Sequence, residues 1–312
     1  MVRGLASLPL SDEPSVVTVG FFDGVHLGHQ DVFRRTVDGA RERGVRSVAV
    51  TFDRHPREVL TPEDVPRLLT TVERKAALIE RSGIDVLVVL EFTEELSKVP
   101  AENFVREVLT EGVHGVHARM GRNFTFGHKA AGNVETLKEM GAPYGLTAEG
   151  VELLEVGGRT ISSSSIRAAL SEGDLAWPAI ALGRRFKLDG AVVAGAGRGA
   201  GLGFPTANLR TWPRLLLPGQ GIYAGTAEVT GARRHVAAID VGTNPTFGVE
   251  PLHVEAFLLD YGGEDLRGEQ IAVEFWERLR DEVRFDSVDD LVRAIADDVE
   301  RTRATVPASE AG

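Results

Sequence analysis

The first half of the chain alternates between short apolar runs and longer amphipathic stretches. Four runs rich in β-branched residues predict strands at residues 15–20, 45–53, 85–92 and 115–121. Apolar positions three or four apart predict helices at residues 29–44, 71–83, 101–112 and 132–141. Strands and helices in strict alternation favour an α/β fold, a doubly wound parallel sheet covered by helices. Ligands bind such sheets at the carboxyl ends of the strands.

The pattern changes after about residue 184. Apolar or alternating runs now follow one another with turn-like breaks, at residues 186–195, 221–231, 234–242, 252–261 and 269–279. This predicts an antiparallel β-barrel, with a β-sandwich as the alternative. A helix over residues 287–304, with Ser287 as its N-cap, closes the chain. We therefore predict two domains, residues 1–183 and 184–306.

Composition narrows the classes of protein to which this chain can belong. The 312 residues are 43% hydrophobic and 26% charged, which is typical of packed globular domains. The net charge of −11 argues against a nucleic-acid partner. The absence of cysteine excludes disulfides and thiolate chemistry, and no apolar run reaches the roughly 20 residues of a membrane span. Residues 1–14 lack the apolar stretch of a signal peptide. We expect a cytoplasmic protein without a membrane partner, and a homo-oligomer stays an open alternative.

The first candidate site follows the first predicted strand. A turn and a helix that starts near Gly28 would direct backbone N–H groups at an anion, and His26 and His29 could both donate hydrogen bonds to a phosphoryl group. Two ordinary turn histidines are the alternative, and zinc is disfavoured because no cysteine is present. The phosphate-binding residues predicted here are Gly20, Phe21, Asp23, Gly24 and Gly28.

A second segment, residues 161–170, supports the phosphate interpretation. It places Ser162, Ser163 and Ser164 at the head of a predicted helix, with Arg167 one turn further. One serine would suffice as an N-cap. Three serines offer hydroxyl and N–H donors to phosphate oxygens, and Arg167 offers fixed charge to a pyrophosphate leaving group.

Together these two segments resemble the His-x-Gly-His and Ile-Ser-Ser-Thr/Ser-x-x-Arg signatures of the nucleotidylyltransferase superfamily. Residues 20–30, 51–60, 67–79 and 120–133 are similar to successive blocks of the FMN adenylyltransferase half of bacterial bifunctional riboflavin kinase/FAD synthetases. The resemblance implies that an FMN phosphate attacks the α-phosphorus of ATP without a covalent enzyme intermediate. It places Asn123 near the phosphates, and His55 and Pro56 at the flavin or, alternatively, in a rigid turn.

The third candidate segment, residues 194–208, is rich in glycine. It contains a G-x-G-x-x-A match, but the segment that follows predicts a strand, so a dinucleotide fingerprint is rejected. A loop that closes over phosphates is one interpretation, and a flexible surface loop is the other. Thr206 and Asn208 alternate on an extended segment, so both side chains face one side with oxygens suited to Mg²⁺. The nucleotide-binding residues predicted here are Gly197, Gly199, Gly203, Phe204 and Pro205.

Residues 203–208, 241–248 and 253–260 closely resemble the riboflavin kinase domain. The resemblance implies that Thr206 and Asn208 bind Mg²⁺ with ATP and that Glu255 is the catalytic base, a role that a positioned carboxylate can fill. An outward-facing strand glutamate is the alternative for Glu255. Asn244 and Pro245 are predicted as wall of the flavin pocket or a plain turn. The charges at 277–287 border the flavin site or form a solvated face.

We therefore expect a bifunctional enzyme with ATP, riboflavin and FMN as substrates. The predicted products are FMN and then FAD, so flavin is substrate and product rather than a prosthetic group, and Mg²⁺ accompanies ATP. An enzyme with one working site and a flavin-responsive binding protein are the alternatives.

Overall fold

The computed structural model describes residues 1–4, 12–195, 197–229, 234–244, 246, 251–262 and 265–310. The chain divides into two compact units, Met1–Ser163 and Ser164–Gly312. The domain boundary predicted at 183–184 lies further along the chain and stays a prediction. Among the described residues, no helix is both long and apolar enough to cross a membrane.

The first unit is built on a parallel sheet of six strands in the order β1-β4-β3-β2-β5-β6. The strands are β1 (Val2–Arg3), β2 (Ser15–Val19), β3 (Arg46–Phe52), β4 (Val86–Leu90), β5 (Gly115–Gly121) and β6 (Thr147–Val151). The doubly wound parallel sheet is confirmed. The short edge strand β1 and strand β6 were not predicted, because β1 has only two residues and β6 carries an alternating, half-exposed pattern.

Helices of the first unit follow the strands, and they correspond to the predicted helices except for two short additional ones at residues 57–60 and 94–97. They are α1 (Leu27–Arg43), α2 (Arg57–Leu60), α3 (Val72–Arg81), α4 (Glu94–Ser97), α5 (Ala101–Phe104), and α6 (Val134–Gly141). The helix predicted over 101–112 continues beyond α5 as a π-helix, Val105–Gly112. Successive side chains of β3 enter two separate cores: Val48 and Val50 lie in one, and Ala49 lies in the other.

The connections of this sheet create a switch point beside β2. From β2 the chain proceeds to β3 and β4 on one side, and then returns to place β5 on the other side of β2. Crevices at such reversals, outside the carboxyl ends of the strands, are where open α/β sheets bind ligands. The loop that carries His26 leaves the carboxyl end of β2, where such a crevice forms.

The second unit begins with helices and continues as a closed antiparallel barrel in the order β10-β13-β12-β11-β14-β9, which confirms the predicted barrel. Before the second unit begins, the first unit ends with a two-stranded ribbon formed by β7 (Glu155–Val156) and β8 (Arg159–Thr160). The elements of the second unit are α7 (Ser163–Ser171, starting at the last residue of the first unit), α8 (Ala176–Leu182), β9 (Lys187–Val193), α9 (Arg198–Gly201), β10 (Ala207–Thr211), β11 (Gly221–Val229), β12 (Arg234–Gly242), β13 (His253–Leu258), β14 (Gln270–Arg280) and α10 (Val288–Thr305). The closing helix is confirmed, with Ser287 Oγ accepting a hydrogen bond of 3.1 Å from Asp290 N.

Strand register separates the barrel wall into two faces. Ala256 pairs with Ile239, which pairs with Tyr223, and all three side chains are fully buried. The neighbouring residue Glu255 points to the opposite face, because side chains alternate along a strand. That face carries the polar residues described below, and α10 packs against β11, β12 and β14.

Candidate active sites

The loop after β2 is held in place by the buried carboxylate of Asp23. Asp23 Oδ1 accepts hydrogen bonds from Leu69 N at 2.9 Å and Thr70 N at 3.2 Å. Two non-glycine residues of the loop, Phe22 and Val25, have positive φ angles of 55° and 43°. Such angles strain a residue with a side chain, so the contacts of Asp23 maintain an otherwise unfavourable turn. A role for Asp23 at the phosphates stays a prediction.

His26 and His29 form a stacked pair at the start of α1. His26 is the N-cap, and its Nδ1 accepts a hydrogen bond of 3.3 Å from His29 N. The ring centroids are 3.6 Å apart, with planes 18° from parallel. With Nδ1 acting as an acceptor, neutral His26 carries its proton on Nε2 and can donate from there. Burial, followed by the charges of His26 and Lys75, lowers the pKa of His29 well below its ordinary value, so His29 is neutral at pH 7.

Glycine at position 28 has a packing reason besides the predicted approach of a phosphate. A Cβ at Gly28 would lie 3.2 Å from two atoms of the His26 ring. A Cβ at Gly20 would lie 2.5 Å from the ring of Phe22. Larger residues at either position would therefore displace the aromatic rings around the paired histidines. Gly24 has a φ of 78°, which glycine adopts without strain.

Other predicted residues also lie beyond the carboxyl ends of the strands. Asn123 is exposed just beyond β5, and His55 follows β3. The His55 ring packs edge-on against Phe21, with centroids 4.9 Å apart. Pro56 is the N-cap of α2 and restricts the turn there. Contacts of these residues with phosphate or flavin stay predictions.

Lys75 is a residue that the sequence analysis missed. Its side chain is buried, and Nζ donates hydrogen bonds to Phe21 O at 3.0 Å and Phe52 O at 2.9 Å. Lys75 therefore ties the ends of β2 and β3 together. Burial lowers its pKa to about 8. The available signal was a lysine on the apolar face of a predicted helix, three residues after Val72 and four before Ile79.

The serine segment begins α7. Ser163, the last residue of the first unit, donates a hydrogen bond of 2.9 Å from Oγ to Asp23 O. One predicted phosphate ligand thus contacts the loop that carries the histidines. In the second unit, Arg167 Nη2 donates to Ser164 Oγ at 3.3 Å. Ser162 is half-buried ahead of the helix. Phosphate binding by these residues stays a prediction.

The second unit brings three predicted residues together. Asn208 on β10 pairs in register with Glu255 on β13. Thr206 Oγ1 donates a hydrogen bond of 2.6 Å to Glu255 Oε2. Glu255 lines a cavity of about 590 Å³ with both of them, so its side chain faces the pocket rather than bulk solvent.

The surroundings of Glu255 keep it ionised. His253 Nε2 lies 3.3 Å from Glu255 Oε1, and the Asn244 side-chain amide lies 2.8 Å from His253 Nε2. Burial pushes the pKa of Glu255 upward, but hydrogen bonds from His253 and Thr206 outweigh it and lower the pKa below its usual value. The hydrogen bond with Glu255 raises the pKa of His253 to about 9, so the two form an ion pair at pH 7.

The glycine-rich loop forms one wall of this cavity. Of the predicted residues, those that line it are Gly197, Gly199, Phe204 and Pro205. Gly203, with a φ of 88°, supplies the turn immediately before Phe204 and Pro205. The segment predicted as an irregular loop contains one helical turn, α9. Pro245 lies outside the described residues.

Two acidic residues of the cavity were also missed. Asp240 on β12 pairs in register with Glu255. Glu282 follows β14, and its Oε1 accepts hydrogen bonds from Thr243 N at 2.9 Å and Asn244 N at 2.7 Å. The sequence analysis had placed 277–287 either beside the flavin or on a solvated face, and Glu282 lines the cavity.

The donor set in this cavity fits magnesium held mainly by nucleotide phosphates. Within the described ranges, no group of three or more His, Asp or Glu side chains is arranged to hold a metal ion. The Thr206 hydroxyl proton is directed at Glu255, which leaves the oxygen lone pairs available. Asn208 adds an amide oxygen on the same wall. Mg²⁺ accepts a few such oxygens while keeping waters and phosphate ligands.

A doubly wound unit with paired histidines at its switch point is joined to a barrel with an ionised glutamate, and the family matches show that this chain is a two-domain transferase. Two family models match the chain, FAD synthetase over residues 8–165 and riboflavin kinase over residues 182–306. The chain belongs to the family of bifunctional riboflavin kinase/FMN adenylyltransferases.

Curated relatives match along nearly the whole chain. The bifunctional riboflavin kinase/FMN adenylyltransferase of Pseudomonas fluorescens is 36% identical over 305 residues, which cover 97% of each chain. The Listeria monocytogenes protein of the same name is 33% identical over 94% of this chain and 93% of its own. A crystal structure from Streptococcus pneumoniae, described as a macrolide-efflux protein, is 29% identical with a TM-score of 0.85, covering 97% of this chain and 99% of its own.

Proposed function

We propose that this chain makes FAD from riboflavin in two steps that each consume ATP. The second unit transfers the γ-phosphoryl group of ATP to riboflavin and releases FMN and ADP. The first unit joins FMN to the AMP portion of another ATP and releases FAD and pyrophosphate. Family membership supports both activities. The observation that carries the kinase assignment is the ionised Glu255 beside Thr206 in the cavity of the second unit.

In the kinase step, Glu255 accepts the proton of the terminal hydroxyl of the ribityl chain. The hydroxyl oxygen forms a bond to the γ-phosphorus as the bond from that phosphorus to the β–γ bridging oxygen breaks, and ADP leaves. The low pKa of Glu255 keeps its carboxylate ready to accept the proton at neutral pH. Gly197 and Gly199 allow the loop backbone to lie close to the phosphates. Asn244 forms part of the flavin wall.

Thr206 and Asn208 hold Mg²⁺ in this proposal. When bound there, the ion would neutralise charge on the phosphates of ATP. Thr206 immediately precedes β10 and Asn208 lies within it, so the barrel wall fixes their positions relative to Glu255.

In the adenylyl step, a phosphate oxygen of FMN attacks the α-phosphorus of ATP, and pyrophosphate leaves with the electrons of the broken bond. His26 and His29 donate hydrogen bonds to the phosphoryl oxygens as charge builds up in the transition state. Neutral His29 retains one N–H donor, and His26 donates from Nε2 because its Nδ1 accepts the hydrogen bond from His29 N. The serine segment and Arg167 bind the pyrophosphate, and Asn123 contacts the nucleotide. His55 and Pro56 border the flavin.

Incubation with riboflavin, Mg²⁺ and ATP, followed by chromatography, tests the proposal. We expect both FMN and FAD to form, with ADP and pyrophosphate as the other products. If the chain converts supplied FMN to FAD but does not phosphorylate riboflavin, only the adenylyltransferase site works. Tight flavin binding without turnover would instead favour a flavin-responsive binding protein.

A further inference from the structure

One carboxyl group beside Glu255 has no role in the steps above. Asp240 lines the cavity, and its Oδ1 is buried without a hydrogen bond to any residue in the described part of the chain. Asp240 and Glu255 are directly opposite on neighbouring antiparallel strands, a position in which two like charges repel. A buried oxygen without a donor is costly when it carries charge. The location of Asp240 therefore favours its neutral form.

Glu282 provides a hydrogen-bond acceptor for that neutral form. A Cβ at Gly242 would meet both Glu282 Oε1 and, at 2.7 Å, Asp240 Oδ1, so the two oxygens crowd the same point. Glu282 already receives hydrogen bonds from the backbone N–H groups of Thr243 and Asn244, which hold its carboxyl group in place. Because two carboxylates in such proximity resist ionising together, the proton resides on Asp240.

Charges on the other neighbouring elements do not supply a donor for Asp240. From β13, His253 is paired with Glu255 at 3.3 Å. From β14, Arg280 donates to Asp298 of α10 through bonds of 2.6–3.1 Å.

On its other side, β12 pairs with β11, and the residue opposite Asp240 is the apolar Ile222. Burial, followed by the charges of Glu282 and Glu255, raises the pKa of Asp240 to about 7, with His253 and Arg280 offsetting part of the shift.

We propose that Asp240 is a positioning residue of the kinase site, whose neutral carboxyl donates a hydrogen bond to Glu282 and thereby holds the turn at Thr243 and Asn244. The inference rests on the proposed kinase function. The turn is connected to the catalytic base, because the Asn244 amide contacts His253, which in turn pairs with Glu255. A proton on Asp240 therefore keeps the ion pair around the base in a fixed orientation.

Initial rates of FMN formation against pH test this role in the full-length enzyme. Asn at position 240 retains the shape and donates an N–H to Glu282 at every pH. We expect D240N to keep kcat within about threefold of wild type at pH 6 and to lack the decline that wild type shows above pH 7. D240A loses the hydrogen bond, so its kcat falls about tenfold while the KM for ATP changes less than about twofold.

Two controls accompany these variants. FAD formation from supplied FMN is unchanged in both, which reports on the folding of the first unit. D297N, at an exposed position of α10, keeps wild-type kinase rates. An equal loss of activity in D240N and D240A would overturn the inference, since it would show that the ionised carboxylate is needed. A wild-type kcat and pH profile in D240A would also overturn it.

Thermal unfolding gives a readout that does not depend on kinase activity. The pKa of Asp240 is higher in the folded chain than its ordinary value of 3.8, so protonation favours the folded state. The Tm of wild type minus that of D240N is expected to fall as pH rises from about 4 to about 7 and to level off above. A constant difference overturns the inference. If the enzyme makes no FMN but the Tm difference falls with pH as expected, the proposed kinase function is refuted and the Asp240–Glu282 hydrogen bond is supported.

Discussion

The Thr206 hydroxyl donates a hydrogen bond of 2.6 Å to Glu255 Oε2 across two neighbouring strands. This bond commits the hydroxyl proton to the proposed base and leaves the oxygen lone pairs for a cation. One short contact thus links the proposed catalytic base with a proposed metal ligand.

Replacing Thr206 tests this link. T206V retains the side-chain shape but removes the hydroxyl, so we expect FMN formation to fall by about 10- to 100-fold and the Mg²⁺ concentration for half-maximal rate to rise. T206S restores the hydroxyl and most of the rate. T211V, at the far end of the same strand, serves as the matched control. A T206V enzyme with wild-type Mg²⁺ dependence would refute the metal role of Thr206.

The ion pair between His253 and Glu255 predicts a pH effect. His253 holds the pKa of Glu255 low, so H253Q, which lacks the positive charge, should shift the acid limb of the kinase pH–rate profile to higher pH. H235Q, on a strand of the same barrel, leaves that limb in place. An unshifted acid limb in H253Q would show that His253 does not control the charge on the base.

The same pair contributes to stability with a defined sign. The pKa of His253 is raised to about 9 from its ordinary value of 6.5. Its contribution is therefore fully present below pH 6.5 and is lost as pH rises through about 9. The Tm difference between wild type and H253Q should decline across this interval. A difference that grows with pH would contradict the assignment.

Lys75 is predicted to stabilise the first unit through its two carbonyl partners. K75M has a similar volume but donates to neither Phe21 O nor Phe52 O, so we expect a loss of about 1–3 kcal/mol in the free energy of unfolding and reduced FAD formation. K138M, which removes an exposed ion pair with Glu135, should change stability by less than about 0.5 kcal/mol.

The stability difference between wild type and K75M depends on pH. Burial lowers the pKa of Lys75 from 10.5 to about 8, so protonation disfavours the folded state. The stability of wild type relative to K75M should therefore rise between about pH 8 and 10.5. Urea unfolding followed by circular dichroism measures this change, and a decrease over that interval would show that Lys75 is not buried as described.

Local patterns in the sequence were sufficient for the central strands of the parallel sheet, for the barrel and for the closing helix, but not for short elements such as β1, α2 and α4. The alternation in residues 15–121 predicted the parallel sheet, and the extended Thr206–Asn208 segment predicted two side chains on one face. The residues that were missed depend on contacts distant in sequence. Lys75 reaches the ends of two strands, and Asp240 acquires its environment from Glu255 and Glu282 through strand pairing. The apolar helix face that carries Lys75 signals its burial, but no local pattern identifies the partners of this lysine or of Asp240.

Product analysis of two variants is the most direct test of the central claim that the chain catalyses two separate reactions, one that depends on His26 and one that depends on Glu255. H26N retains an oxygen acceptor for the N-cap but lacks the imidazole, and E255Q retains the shape of the base without its charge. Given riboflavin, Mg²⁺ and ATP, H26N should accumulate FMN with FAD formation reduced by about 10²–10³-fold. E255Q should form no FMN from riboflavin, yet convert supplied FMN to FAD at the wild-type rate. H114N, which lies just before β5 at the amino ends of the strands, should make both products. Loss of both reactions in either variant, or of neither, would contradict the account.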